Sequence, residues 1–285
     1  VTDLNGSLEV RRQQYQRAED EAFCVWIGAA MIAGKVQNAR TLCLRRDGAV
    51  PDPEIVAATA ALRAVLEALP GARTRAEIMG LEGEAARHAF RVLGRSLRPP
   101  WVWQARARRP PPDPVNCVIS VLSTLLHENC YAALHVVGLD PACGFLHTPK
   151  PGRAALALDL MEEFRPVIVE SLVLTLLNKR MLRAEHFVPG PRGGTYLSQE
   201  GWRLVATAFA RRMQTLVTLP GRSRRISYQK VLEVQARAVR KAIMEDASYD
   251  PFVVRCCYGV ARCSTFHRRS RKTAYVQISL EMLAA

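Results

Sequence analysis

Residues 115–137 read VNCVISVLSTLLHENCYAALHVV, and this stretch decides the fold class. Val115, Val118, Ile119, Leu122, Leu125, Leu126, Ala133 and Leu134 recur three and four positions apart, which is the period of a helix with one buried face. Gly138 follows as a helix stop. A helix this apolar needs other elements to cover it. The flanking sequence supplies helical patterns on both sides. Upstream, one helix is expected over 11–46, with Phe23, Trp26, Ile27, Ala30 and Met31 in register. A second opens at Pro51 and Pro53 and runs to about Leu69, and a third spans 76–94. Downstream, a long apolar helix covers 154–178, with Pro166 expected to kink it. Ser198 and Ser227 cap two more, to about Val217 and Ala247. No period-two alternation is long enough to build a sheet, so the chain reads as mostly α.

The chain has 285 residues, enough for one large domain or two small ones. Hydrophobic residues make up 49%, which excludes a disordered tail. Of the 40 basic residues 34 are Arg, against 26 acidic ones, for a formal charge of +14. Arg binds phosphate in a planar, bidentate way, so a polyanion partner, nucleic acid first, is expected ahead of a merely solvated basic face. The longest uncharged apolar run, Ala22 to Gly34, has 13 residues and is too short to span a bilayer. Glu19, Asp20 and Glu21 precede it where a signal peptide would be basic. The chain therefore reads as soluble and intracellular, with no membrane partner. Its eight Cys include no C-x-x-C, and most are expected as reduced core residues. Cys256, Cys257, Cys263 and His267 are poorly spaced for zinc. Residues 98–114 are rich in Pro and carry Trp101, Trp103, Arg106, Arg108 and Arg109. That composition fits a linker, and it equally fits a strip that follows a phosphate backbone.

Several acids stand where burial is costly. Glu128 lies inside the apolar helix just past Leu125 and Leu126. Asp159 and Glu162 are three apart in an apolar segment and share a helix face. His147 lies in the loop between the two apolar helices. One imidazole with carboxylate oxygens suits Mg²⁺ or Mn²⁺ better than zinc. The same residues fit a plainer arrangement. There Glu128 pairs with an Arg at the helix edge, Asp159 and Glu162 pair with Arg153 and Arg165, and His147 is a satisfied loop residue.

Four segments then occur in order: Arg108–Asn116 (RRPPPDPVN), Leu125–Glu128 (LLHE), Gly138–His147 (GLDPACGFLH) and Leu156–Pro166 (LALDLMEEFRP). With Met79–Arg87 (MGLEGEAAR), Tyr196–Gly201 (YLSQEG) and Tyr249–Phe252 (YDPF), they resemble the CRISPR-associated endonuclease and integrase family, the spacer-acquisition integrase called CRISPR-associated protein one. The resemblance runs from about residue 1 to 255. It implies a helical catalytic domain over 10–255. Residues 1–9 would be the last strand of the family's N-terminal β-rich domain, so the chain resembles an N-terminally truncated member. Residues 256–285 form a basic, Cys-containing tail outside the resemblance.

The resemblance also implies a chemistry. A divalent cation, Mg²⁺ or Mn²⁺, would be held by Glu128, His147 and Glu162, with Asp159 as a fourth catalytic acid. Arg165 would meet DNA phosphate, and the strip reading of 98–114 adds Arg106, Arg108 and Arg109 as DNA contacts on composition alone. The reaction would be transesterification, the 3′-hydroxyl of a captured fragment attacking a phosphodiester at a repeat, in prokaryotic antiviral defence. Partners would be double-stranded or branched DNA or DNA with 3′-OH ends, a second copy, and the small adaptation subunit called CRISPR-associated protein two. The location would be the cytoplasm. Two other readings share these residues: an inactive DNA-binding remnant, and a related transposon-type integrase.

Overall fold

A computed structural model describes residues 4–46, 52–107, 109–219 and 224–254. The expectation for 256–285 lies outside these residues, as does Arg108. Among the described residues the chain is mostly α-helical, with helices α1 (Leu4–Glu19), α2 (Glu21–Leu44), α3 (Pro53–Ala68), α4 (Arg75–Arg95), α5 (Pro114–Val136), α6 (Ala155–Met161), α7 (Ser171–Asn178), α8 (Gln199–Met213) and α9 (Tyr228–Glu245). Two short antiparallel hairpins, β1 (Phe187–Pro189) with β2 (Thr195–Leu197) and β3 (Leu216–Val217) with β4 (Ile226–Ser227), join the later helices.

The helix starts follow capping chemistry. Asp113 accepts from the Asn116 amide at 2.8 Å and is followed by Pro114, whose missing N–H costs nothing at the first helical position. Asp52 with Pro53 repeats the device on α3, and Thr74, Ser198 and Ser227 cap α4, α8 and α9. Asp20 is also a cap, accepting from the Phe23 amide at 3.1 Å. The single helix expected over 11–46 is therefore two, broken where a carboxylate satisfies the new N-terminus. The strand expected over 1–9 is also corrected over its described part, because the chain is helical from Leu4 onward; residues 1–3 lie outside the described residues.

Two hydrophobic cores meet along α2. The larger holds Leu122, Leu126 and Leu134 of α5, Leu156 and Leu160 of α6, Val173 of α7 and Val231 and Val239 of α9. The smaller holds Ile55, Leu62 and Val65 of α3 with Ile78 and Val92 of α4. Helix α2 belongs to both: Phe23, Ile27 and Met31 enter the first, and Ile32, Val36 and Cys43 the second. A helix buried on both sides reads as a continuous apolar run, which accounts for 22–34. Helix α5 is long and apolar enough to cross a membrane by length and composition, yet its apolar face is packed into the larger core. Cys24, Cys43, Cys117 and Cys130 are buried and unpaired.

Past α6 the chain tightens to a 3-10 turn at Glu162–Phe164 and then widens to a π-helical turn at Pro166–Glu170 before α7. Pro166 thus changes the helical pitch, since it has no N–H to continue the regular ladder. The 3-10 turn packs against α2.

Candidate active site

The loop after α5 is anchored by one carboxylate. Asp159, fully buried on α6, accepts backbone N–H bonds from Phe145 at 2.7 Å, Leu146 at 3.0 Å and His147 at 2.9 Å. It also lies 2.6 Å from His147 Nδ1. A carboxylate that holds Nδ1 sets the ring orientation and leaves Nε2 as the nitrogen available to an ion or substrate. Gly144 makes this docking possible. A Cβ there would stand 2.8 Å from both Asp159 Oδ2 and the Ala155 carbonyl carbon. Asp159 is therefore a positioning group, engaged with the loop rather than with Arg153.

Glu162 sits next in space. Its side chain is 7% exposed and is held by two cations: Lys35 of α2, which donates to Oε2, and Arg165, whose Nε lies 3.1 Å from Oε1. Burial pushes its pKa up, but the Lys35 ammonium, Arg165 and His147 outweigh that and hold it at about 2. The same Lys35 ammonium donates to Oε1 of Glu82 on α4. Burial would also make Lys35 easier to deprotonate, but the two carboxylates reverse this and raise its pKa. One ammonium, reached from three separate elements, thus holds two acids that are 80 positions apart in the chain.

Glu128 is elsewhere. Its side chain is 65% exposed and its partner is the adjacent His127 ring, 3.2 Å away. The expected grouping of Glu128 with His147 and Glu162 is corrected on this point: the structure joins Glu82, not Glu128, to Glu162. Position 128 is two residues past the buried Leu126, about 200° around the helix, and so faces away from the core. Among the described residues, no three His, Cys, Asp or Glu side chains stand together closely enough to hold an ion.

The expected phosphate contacts divide as well. Arg106 is tied to its own loop, with Nη1 donating to Asn116 Oδ1 at 3.0 Å and Nη2 to Ser120 Oγ at 3.1 Å. Arg109 is exposed and Arg165 pairs with Glu162. The two Trp of 98–114 pack onto the body instead of lining a strip. Trp103 meets Phe90 edge-on, and the Trp101 indole N–H donates to the Leu177 carbonyl at 3.2 Å.

Glu82 and Lys35 escaped the sequence reading, although each carried a signal. Lys35 is the charge that ends an all-round apolar run, so it had to be paired in the interior. Glu82 lies within the Met79–Arg87 segment, between Gly80 and Gly83.

The profile of the family described as CRISPR associated protein Cas1 matches residues 1–211. This chain belongs to the Cas1 family. Among curated relatives, the CRISPR-associated endonuclease Cas1 of Moorella thermoacetica is 35% identical over 260 residues, covering 88% of this chain and 76% of that protein. A Cas1 endonuclease of Rhodospirillum rubrum is 41% identical over 218 residues, covering 73% of this chain and 62% of its own. The chain thus spans between three-fifths and about three-quarters of these relatives. Two solved structures share the Cas1 fold. A CAS1 protein from Thermotoga maritima has a TM-score of 0.71 at 22% identity, covering 83% of this chain and 70% of that one. A casposase bound to integration product has a TM-score of 0.76 at 20% identity, covering 85% and 70%.

Proposed function

We propose that this Cas1 family chain is a divalent-cation-dependent DNA endonuclease and integrase, and that Glu82, His147 and Glu162 are its ion-holding side chains. The observation that carries this reading is the pair of carboxylates, Glu162 buried and Glu82 half-buried, gathered around one ammonium, with a carboxylate-oriented imidazole on the same loop and turn. A buried carboxylate with a half-buried one beside it calls for positive charge, and a lysine already fills that role, which is the fit expected of a cation site. Oxygen donors with one imidazole suit Mg²⁺ or Mn²⁺. Such an ion, when bound, polarises a phosphoryl oxygen and stabilises charge on the attacking or leaving oxygen.

The chain's own residues supply the rest. Asp159 fixes the His147 ring and the loop that carries it. Arg165 balances Glu162 and lies beside the position a phosphate would take. A formal charge of +14 draws in the DNA backbone. No covalent enzyme intermediate is needed, since the 3′-hydroxyl of a DNA strand is itself the nucleophile in transesterification. The substrates are then branched DNA and DNA with 3′-OH ends, inserted at a CRISPR repeat. A matching fold in a Cas6-RT-Cas1--Cas2 complex, with a TM-score of 0.76, supports a Cas2-type subunit as partner, and a second copy of the chain is proposed beside it.

The test is cation-dependent cleavage of a branched DNA. Glu82→Ala, His147→Ala and Glu162→Ala should each lower the rate by about a hundredfold or more, as expected when an ion ligand is lost. Glu128→Ala should stay within about threefold of the parent. Loss of activity with Glu128→Ala but not with Glu82→Ala would refute the assignment. Cleavage untouched by all four would leave a basic DNA-binding protein without this active centre.

A further inference from the structure

The ion-holding reading leaves one side chain unexplained. Lys35 stands on the two carboxylates that a divalent cation would use. Resting on that reading, we propose that Lys35 is a resident cation that competes with the divalent ion for Glu82 and Glu162 and is displaced when the ion binds.

Charge and place both support this. Glu82 and Glu162 carry two negative charges, and Lys35 and Arg165 carry two positive ones, so the cluster is balanced without any ion. Adding a divalent cation while Lys35 stayed would leave two excess positive charges in a buried site, a costly state. Releasing Lys35 lowers that cost and returns carboxylate oxygens to the ion. Lysine suits the role better than arginine would. It is a compact charge on a flexible four-carbon stem, able to swing, whereas a guanidinium would lock both carboxylates in a fork. The stem is rooted in α2, whose burial between two cores keeps its base in place. DNA phosphate provides an alternative counter-charge for the displaced ammonium, so polyanion and ion should favour each other's binding.

Manganese binding to the full chain, followed by electron paramagnetic resonance of the free ion, tests the proposal without any catalytic readout. Lys35→Met should bind Mn²⁺ at least about tenfold more tightly than the parent, because its competitor is gone. The apo protein should melt lower, since buried Glu162 and half-buried Glu82 lose a shared counter-ion, and Mn²⁺ should raise its melting temperature by more than it raises the parent's. Lys35→Gln, which keeps a hydrogen-bond donor in the same place, provides a second variant should the Met form fail to fold, and it too should bind more tightly. A folded Lys35 variant whose Mn²⁺ affinity is equal to or weaker than the parent's overturns the proposal. If the parent and Glu162→Gln bind Mn²⁺ identically, the ion-holding reading itself falls, and the competition falls with it.

Discussion

Asp159 shows how much one residue can organise. It takes three backbone N–H groups and one imidazole, which ties the loop at 145–147 to α6. Asp159→Asn keeps the shape but replaces one acceptor oxygen with a donor, so at least one buried N–H loses its partner. A destabilisation of about 1–3 kcal/mol is expected from chemical denaturation. Manganese affinity should also fall roughly 10- to 100-fold, as for other groups that orient a ligand from behind. A variant with parental stability and affinity would show that the loop is held by other means. At this scale the sequence was partly legible. His147, Asp159 and Glu162 lie within 16 residues of one another and end in one place. Glu128 could have been excluded, because its offset from Leu126 turns it to solvent. Glu82 could not have been paired by local pattern, since its counter-ion lies 47 positions earlier, on a helix whose orientation only the packing determines.

Among the elements, the segment 249–254 has no regular structure yet is tightly held. Tyr249 donates to Glu163 Oε1 at 2.6 Å, and the Phe252 amide donates to Oε2. Asn38 of α2 donates to the carbonyls of Glu163 and Phe252, each at 2.8 Å, and accepts from the Val254 amide at 2.9 Å. The Phe252 ring stacks on Phe164 with centroids 5.1 Å apart. The segment therefore backs the turn that carries Glu162. Gly34 lets α2 approach it: a Cβ there would lie 2.6 Å from Pro251 Cβ and 3.2 Å from Glu163 Cβ. Gly→Ala in an exposed helix stabilises by up to about 1 kcal/mol, but Gly34→Ala should destabilise by about 1–3 kcal/mol through overpacking. A stabilised Gly34→Ala would mean that the contact is not maintained in solution.

The turn also carries a pH dependence. Burial raises Glu163 to about 7, against the opposing hydrogen bonds of Tyr249, Phe252 and Gln235. Burial likewise raises Glu170, at the end of the π-helical turn, to about 7, against Lys35 and Arg165. An acid whose folded pKa is raised binds more protons when folded. Stability from these groups is therefore full near pH 4.5 and is lost as pH rises toward 7, with up to about 3 kcal/mol at stake for each. Glu162 has the opposite sign: its contribution is present above about pH 4.5 and is lost as pH falls toward 2. Unfolding free energy should thus decline between about pH 5 and 7.5, and Glu170→Gln should flatten that decline. A parental stability that rises over this interval would contradict the burial of these acids. The helices themselves were legible from periodicity and capping residues. The break at Asp20 was missed because one apolar period runs through it, and the pitch changes around Pro166 depend on packing that local pattern does not encode.

At the scale of the molecule, two cores share α2, and the candidate site lies where α2, α4 and the turn after α6 meet. The seam between the cores is where charged groups can reach one another without crossing apolar packing. It explains why the site's acids come from both halves of the fold. The excess of Arg acts at this scale too, through the summed field rather than any one contact. Binding to duplex DNA should weaken by about a hundredfold between roughly 50 and 200 mM salt, the loss expected from releasing counterions at about four phosphates. An affinity insensitive to salt would contradict phosphate contact as the basis of binding. The mostly helical class and the covering of α5 were readable from composition and period. The division into two cores was not, because the apolar run of α2 looks the same whether one core or two surround it.

The most direct test of the central claim is the position of a bound ion. Crystals of the full chain grown with Mn²⁺ and measured at the manganese absorption edge should show one anomalous peak bounded by Glu82, His147 and Glu162, with Lys35 drawn back and ligand distances of roughly 2.0–2.6 Å. A peak at Glu128, or a saturated crystal with no peak between Glu82 and Glu162, would contradict it.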